Sequence, residues 1–155
     1  MADLDSTREA LAARQRGVLD DLLAGRLPDG FDARGTAMTT RVLHRKRSDA
    51  ALRAAEELQF LPGWRQHFHA WAGEHPQAGC AHDDVLAFVD HLRQHTGASD
   101  DELAEWLRLH EVYDGVRRVA WVKIGGRHTL AVGIGNTVWR LACRTRTKGE
   151  RSWAN

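Results

Sequence analysis

Nine histidines in 155 residues are the first place to look for chemistry. His91 and His95 stand four apart, which would put both on one face of a helix at a spacing metal ligands use. Cys80-Ala81-His82 and His67-Phe68-His69 add further donors. A zinc protease site would need a Glu beside His91, and a structural zinc site would need closely paired cysteines. The sequence has neither, and on a helix His67 and His69 would point to different sides. The histidines therefore read as solvated polar-face residues, and no metal ligand is assigned. Nucleophilic catalysis has less support, because no G-x-S-x-G elbow, P-loop or dinucleotide glycine fingerprint occurs. Gly133-Ile134-Gly135 reads as a turn between strands. The carboxylate pairs Asp83-Asp84 and Asp100-Asp101 fall at helix starts, where the macrodipole accounts for them. No catalytic residue is assigned, and the chain is expected not to be an enzyme and to carry no cofactor.

Binding chemistry is better signalled than catalysis. The net charge of +1 conceals a separation: residues 1–114 hold 13 Lys and Arg against 20 Asp and Glu. Residues 115–155 hold nine basic residues against Glu150 alone. The nine are Arg117, Arg118, Lys123, Arg127, Arg140, Arg144, Arg146, Lys148 and Arg151. Such asymmetry concerns partners and steering, and the cationic end should attract something acidic. In the helical part the one dense basic run is Arg41 with His44-Arg45-Lys46-Arg47, either a solvated face or an interaction surface. Trp64, Trp71 and Trp106 stand at core spacing. Trp121 and Trp139 admit two readings: packing the sheet onto the helices, which is preferred, or forming an apolar platform within a basic surface.

The elements that position these residues follow from periodicity. Apolar residues from Leu11 to Leu23 predict a helix over 7–24, closed by Gly25. Leu27-Pro28-Asp29-Gly30-Phe31 is a turn, Asp32 an N-cap, and a second helix runs from 33 to 58 with a break possible at Ser48-Asp49. Trp64, Phe68 and Trp71 mark a third helix before Pro76, and 83–95 a fourth. Ser99-Asp100-Asp101-Glu102 is a capping box that starts a fifth. After Asp114-Gly115 the pattern turns β-branched and aromatic. Strands are expected over 116–124, 128–134 and 137–144, joined at Gly125-Gly126 and Gly135-Asn136. The predicted class is α+β, with about five helices followed by a three-stranded antiparallel sheet. Its divisions would be a helical domain over 1–114, a basic sheet over 115–145 and a basic tail over 146–155. No apolar run approaches the roughly 20 residues that cross a bilayer, and the N-terminus lacks signal-peptide character. With two cysteines and no disulfide framework, a soluble cytoplasmic protein is expected.

Residues 15–47 carry a resemblance. The turn Leu27-Pro28-Asp29-Gly30-Phe31-Asp32 and the helix end Leu43-His44-Arg45-Lys46-Arg47 are similar to a pattern in small actinobacterial proteins. Those in turn resemble the partner subunits of multinuclear non-haem iron oxidative enzymes, the methanobactin-type partner among them. The resemblance implies a non-catalytic partner in the biosynthesis of ribosomally made, modified peptides. Iron would reside in a TIM-barrel enzyme in another chain, and this chain would hold the leader of a precursor peptide by β-strand addition. Arg117, Arg118, Trp121, Lys123, Arg127, Trp139, Arg140 and Arg144 would then meet the peptide, and Arg45, Lys46 and Arg47 the enzyme. The alternative is nucleic-acid binding by the basic sheet. It is disfavoured because the whole chain is near neutral and the acidic helical part would repel phosphates.

Overall fold

A computed structural model describes residues 2–77, 79–95 and 100–142. The element order is α1 (Ala2–Leu23), α2 (Ala33–Ala54), a 3₁₀ turn (Glu56–Phe60), α3 (Trp64–Glu74), α4 (Ala81–His95), α5 (Asp101–Tyr113), β1 (Val119–Ile124), β2 (Arg127–Ile134) and β3 (Thr137–Ala142). This is the α+β arrangement expected, five helices and then an antiparallel sheet in the order β1-β2-β3. Two compact units make up the chain, one of residues 1–59 and 63–94, the other of 60–62 and 95–155. Contacts thus group α5 with the sheet. No helix among the described residues is long and apolar enough to cross a membrane.

In the first unit, α1 ends in a Schellman motif. Gly25 takes the left-handed conformation (φ 68°), while Arg26 N–H reaches the Asp21 carbonyl and Gly25 N–H that of Leu22. The amphipathic pattern expected for α1 is buried only in its last turn, at Leu22 and Leu23, whereas Leu4, Leu11 and Leu19 are exposed. Asp32 caps α2 as predicted, its carboxylate accepting from Gly35 N–H at 2.7 Å. Ser48-Asp49 does not break α2, because Ser48 turns its hydroxyl back to the Arg45 carbonyl at 2.9 Å inside the helix. The core is aromatic: Phe68 lies edge-on to Phe88 at 5.2 Å and within 5.4 Å of Trp71, with Trp64 at 6.3 Å. Val85, Val89 and Leu92 bury the matching stripe of α4.

That core contains a charge pair. Arg47 is forked onto Asp84, Nε to Oδ2 at 2.8 Å and Nη2 to Oδ1 at 2.9 Å. Its Nη1 donates to the carbonyls of Ala72 (3.1 Å) and His75 (2.8 Å), and the guanidinium lies over Trp71. Asp84 is therefore a buried partner and not merely a helix-start carboxylate. Asp83 keeps the local role: its carboxylate accepts from Cys80 N–H at 2.8 Å, a bond that holds its pKa below the ordinary carboxylate value.

The second unit packs α5 on one face of the sheet. Asp100 caps α5 by accepting from Leu103 N–H; Ser99, the other half of the expected capping box, lies outside the described residues. Leu109 and Val112 of α5 meet Ala120, Val122 and Ala131, flanked by Phe60, Tyr113, Ile124 and Val138. Gly133 belongs to β2 and not to a turn, and it lies against Val112 of α5, which a Cβ there would meet at 3.4 Å. Gly125 and Gly126, both at positive φ, make the hairpin turn between β1 and β2.

Candidate peptide-binding sheet

Strand alternation sorts the sheet into two faces. Ala120, Val122, Thr129 and Ala131 face α5 and are buried. Register places Val119, Val132 and Trp139 in one row of the other face, and Trp121, Leu130 and Leu141 in the next. Ile134 extends this face, and its outer members are open: Trp121 is 51% exposed, Trp139 59% and Leu141 59%. The preferred reading of the two tryptophans, as packing between sheet and helices, is thereby corrected. Alternation gives the buried face to alanine, valine and threonine, and α5 covers that face instead. Seven adjoining apolar side chains exposed or half-buried on one face mark an interaction surface more than a folding core.

The basic residues do not ring this platform evenly. Lys123 shares the face of Trp121 and is exposed, and His128 stacks on Trp121 with ring centroids 6.2 Å apart. Arg117 lies before β1 and is drawn to α5, donating from Nε to Glu111 Oε2 at 2.8 Å. Arg140 points to the opposite side from Trp139, as the alternation predicts, and its guanidinium lies over Phe60 at 4.2 Å. Arg118, just before β1, and Arg127, which opens β2 opposite Ile124, are exposed. Arg144 lies outside the described residues. The structure thus brings the two tryptophans together with Lys123, while Arg117 and Arg140 are engaged by α5 and Phe60.

Hydrogen-bond register tells the two sheet edges apart. Gly133 N–H donates to the Arg118 carbonyl at 2.8 Å, so the peptide groups of 118, 120 and 122 face β2. Those of Val119, Trp121 and Lys123 then face outward on the β1 edge, where Lys123 N–H is taken by Glu105 Oε2 at 3.0 Å. One period further across the sheet, β3 turns the peptide groups of Val138, Arg140 and Ala142 outward. Among the described residues, no hydrogen bond reaches those groups. The β3 edge is the less obstructed, and it borders Trp139 and Leu141. Sequence reasoning left the edge undecided, since the Glu105 contact depends on the docking of α5.

In the other unit the run Arg45-Lys46-Arg47 divides. Arg45 and Lys46 are exposed, and Arg45 comes only within 4.0 Å of Asp49. Arg47 is 5% exposed and consumed by Asp84, so its place on an enzyme-docking surface is withdrawn. Its helical phase, two positions beyond Arg45, turns it inward. His91 has His75 against it at 5.7 Å. Among the described residues, no three His, Cys, Asp or Glu side chains form a group that could hold a metal ion.

Known proteins place the chain in a family. A UPF0276 protein of Streptomyces avermitilis is 34% identical over 107 residues, 67% of this chain but 22% of the relative. The chain thus spans about a fifth of the length of that curated relative. No solved structure matches. The family model for the SCO6045-like C-terminal domain matches residues 12–94, which takes in most of α1 through α4 and stops short of the sheet. The chain covers more than half its length with that match, and it belongs to the SCO6045-like C-terminal domain family.

Proposed function

We propose that this chain is a non-catalytic partner subunit that holds an extended precursor peptide by strand addition and presents it to an oxidative enzyme in another chain. The observation that carries the reading is the β3 edge, whose outward peptide groups lie beside the exposed Trp139 and Leu141. An added strand would pair with Val138, Arg140 and Ala142, and backbone pairing supplies affinity where side-chain pockets supply selectivity. Its side chains would alternate between the Trp139–Leu141 platform and the Arg140 side. The fitting ligand therefore carries apolar residues at alternate positions, with acidic residues between them. The relative in which the matched segment is 22% of a longer chain supports a module that works beside another domain. On this reading iron belongs to the partner enzyme, a TIM barrel, and Arg45 and Lys46 remain candidates for docking it.

The test uses the geometry of the edge. Arg140→Pro removes an outward N–H and no rung of the β2–β3 ladder, so the fold should survive, as edge strands tolerate proline. Binding of a labelled leader peptide, from a precursor encoded beside this gene, should be lost in Arg140→Pro and largely kept in Arg140→Ala. Equal binding by the proline variant would end the strand-addition reading. A single-stranded oligonucleotide is the comparison, because exposed tryptophans also stack on bases. Tight oligonucleotide binding with a steep salt slope, and no peptide binding, would put the nucleic-acid reading in its place.

A further inference from the structure

A second feature lies in the first unit. Arg41, His44 and Arg45 recur at i, i+3 and i+4 on α2, and Arg65 and His69 at i and i+4 on α3. Helical spacing of that kind stacks each set on one face, and together the five line a cavity of about 690 Å³. The size is that of a small-molecule site, which commonly spans about 300–1,000 Å³. Three guanidiniums face it against one carboxylate, Asp49, which meets Arg65 Nη2 at 2.8 Å and Arg45 Nε at 4.0 Å.

The cluster is built and not merely crowded. Ser48 Oγ accepts from Arg65 Nη1 at 2.9 Å and meets His69 Nε2 at 3.1 Å. The Arg65 guanidinium also lies 4.6 Å over the Trp64 ring. The imidazoles of His44 and His69 sit 5.8 Å apart. His44 is buried, with its Nδ1 lacking any hydrogen-bond partner among the described residues, a state that proteins seldom leave unexplained. Burial lowers the pKa of both imidazoles, which favours their neutral forms.

We infer that this cavity is a binding site for a phosphate monoester of a small metabolite. A phosphoryl dianion matches the two positive charges left after Asp49 is counted, and a carboxylate would leave one of them unanswered. Its oxygens suit the forked donors of Arg41 and Arg45, while Arg65, held by Ser48 and Asp49, adds charge to the wall. The cavity is larger than a lone ion, which leaves room for the organic part.

The experiment titrates the full chain with inorganic phosphate, phenyl phosphate and adenosine 5′-monophosphate. Acetate at matched ionic strength is the comparison, and Trp64 fluorescence and imidazole ¹⁵N resonances are followed. The expected result is saturable binding of at least one phosphate monoester with Kd at or below about 1 mM. It should weaken about tenfold or more in Arg41→Ala and in Arg45→Ala, whose side chains are exposed. Arg41→Lys with Arg45→Lys keeps charge and fold but removes the fork, and should weaken binding as well. A response that is linear, equal for acetate, or unchanged in these variants would overturn the assignment.

Discussion

Asp84→Ala is the sharpest perturbation of the fold, because it leaves a charge where water cannot follow. The Arg47 side chain is 3% exposed and that of Asp84 6%. Removing the carboxylate deletes both forked bonds and leaves the guanidinium with the carbonyls of Ala72 and His75. Breaking a buried pair from one side costs roughly 3–5 kcal/mol. The two carbonyls and the Trp71 face offset part of that charge, so a loss of about 3 kcal/mol is expected. In a unit of some ninety residues this lowers Tm by more than about 10 °C. Replacing both partners by apolar residues, as in Arg47→Met with Asp84→Leu, removes the uncompensated charge. It then gives up only the carbonyl bonds and the ring contact, about 1–2 kcal/mol. Urea unfolding followed by tryptophan fluorescence measures both variants, since Trp71 lies under Arg47. A loss below about 1 kcal/mol in Asp84→Ala, or a double variant less stable than Asp84→Ala, would refute a dry, mutually dependent pair.

Three further outcomes follow from the same geometry. Trp121→Ser with Trp139→Ser should leave stability within about 0.5 kcal/mol, as for surface changes generally, yet weaken leader binding at least tenfold in fluorescence anisotropy; a large fall in Tm instead would mean that these rings hold the fold. Leader binding should weaken modestly between 50 and 300 mM salt without vanishing, because Lys123, Arg118 and Arg127 steer from exposed positions while backbone pairing persists; calorimetry across that range checks it. Burial depresses the pKa of His44 and His69, so the unfolded chain binds more protons than the native one. Stability should therefore be full above about pH 6.5 and fall as pH drops through the lowered native values. Urea midpoints at pH 7.5, 6.5 and 5.5 should fall in that order, and His44→Gln with His69→Gln should flatten the trend.

The sequence carried the elements well because each had a local cause. Asp32 and Asp100 announce helix starts by chemistry confined to three residues, and Gly125-Gly126 announces a hairpin by the backbone signs it permits. The exposed side of the sheet was harder to read, since Trp121 and Trp139 have the size and apolarity of core residues. Alternation alone says that they oppose Val122 and Val138, not which face α5 will cover. That choice is made by Leu109 and Val112 meeting Ala120, Val122 and Ala131, a set of contacts between distant positions. Arg47 and Asp84 show the same limit: 37 residues apart, each looked like an ordinary surface charge until the helices placed them together.

The two sides of the sheet explain why charge alone was a poor guide to the candidate site. An excess of basic residues after Asp114 suggested a cationic groove, yet Arg117 is spent on Glu111 and Arg140 on Phe60. Among the described residues, what is exposed beside the β3 edge on the Trp139 side is chiefly apolar, with Trp139 and Leu141 next to a row of outward peptide groups. On the proposed function such a surface would select for extended backbone and alternate apolar side chains, with the exposed cations acting mainly on encounter. Nucleic-acid binding would instead need several cations facing the same groove at once. Glu105 has a place in the same proposal: by occupying the Lys123 N–H it blunts the β1 edge, so that among the described residues the β3 edge is the freer of the two. On that proposal, selectivity for one added strand in one place would be a property of α5 docking as much as of the sheet itself.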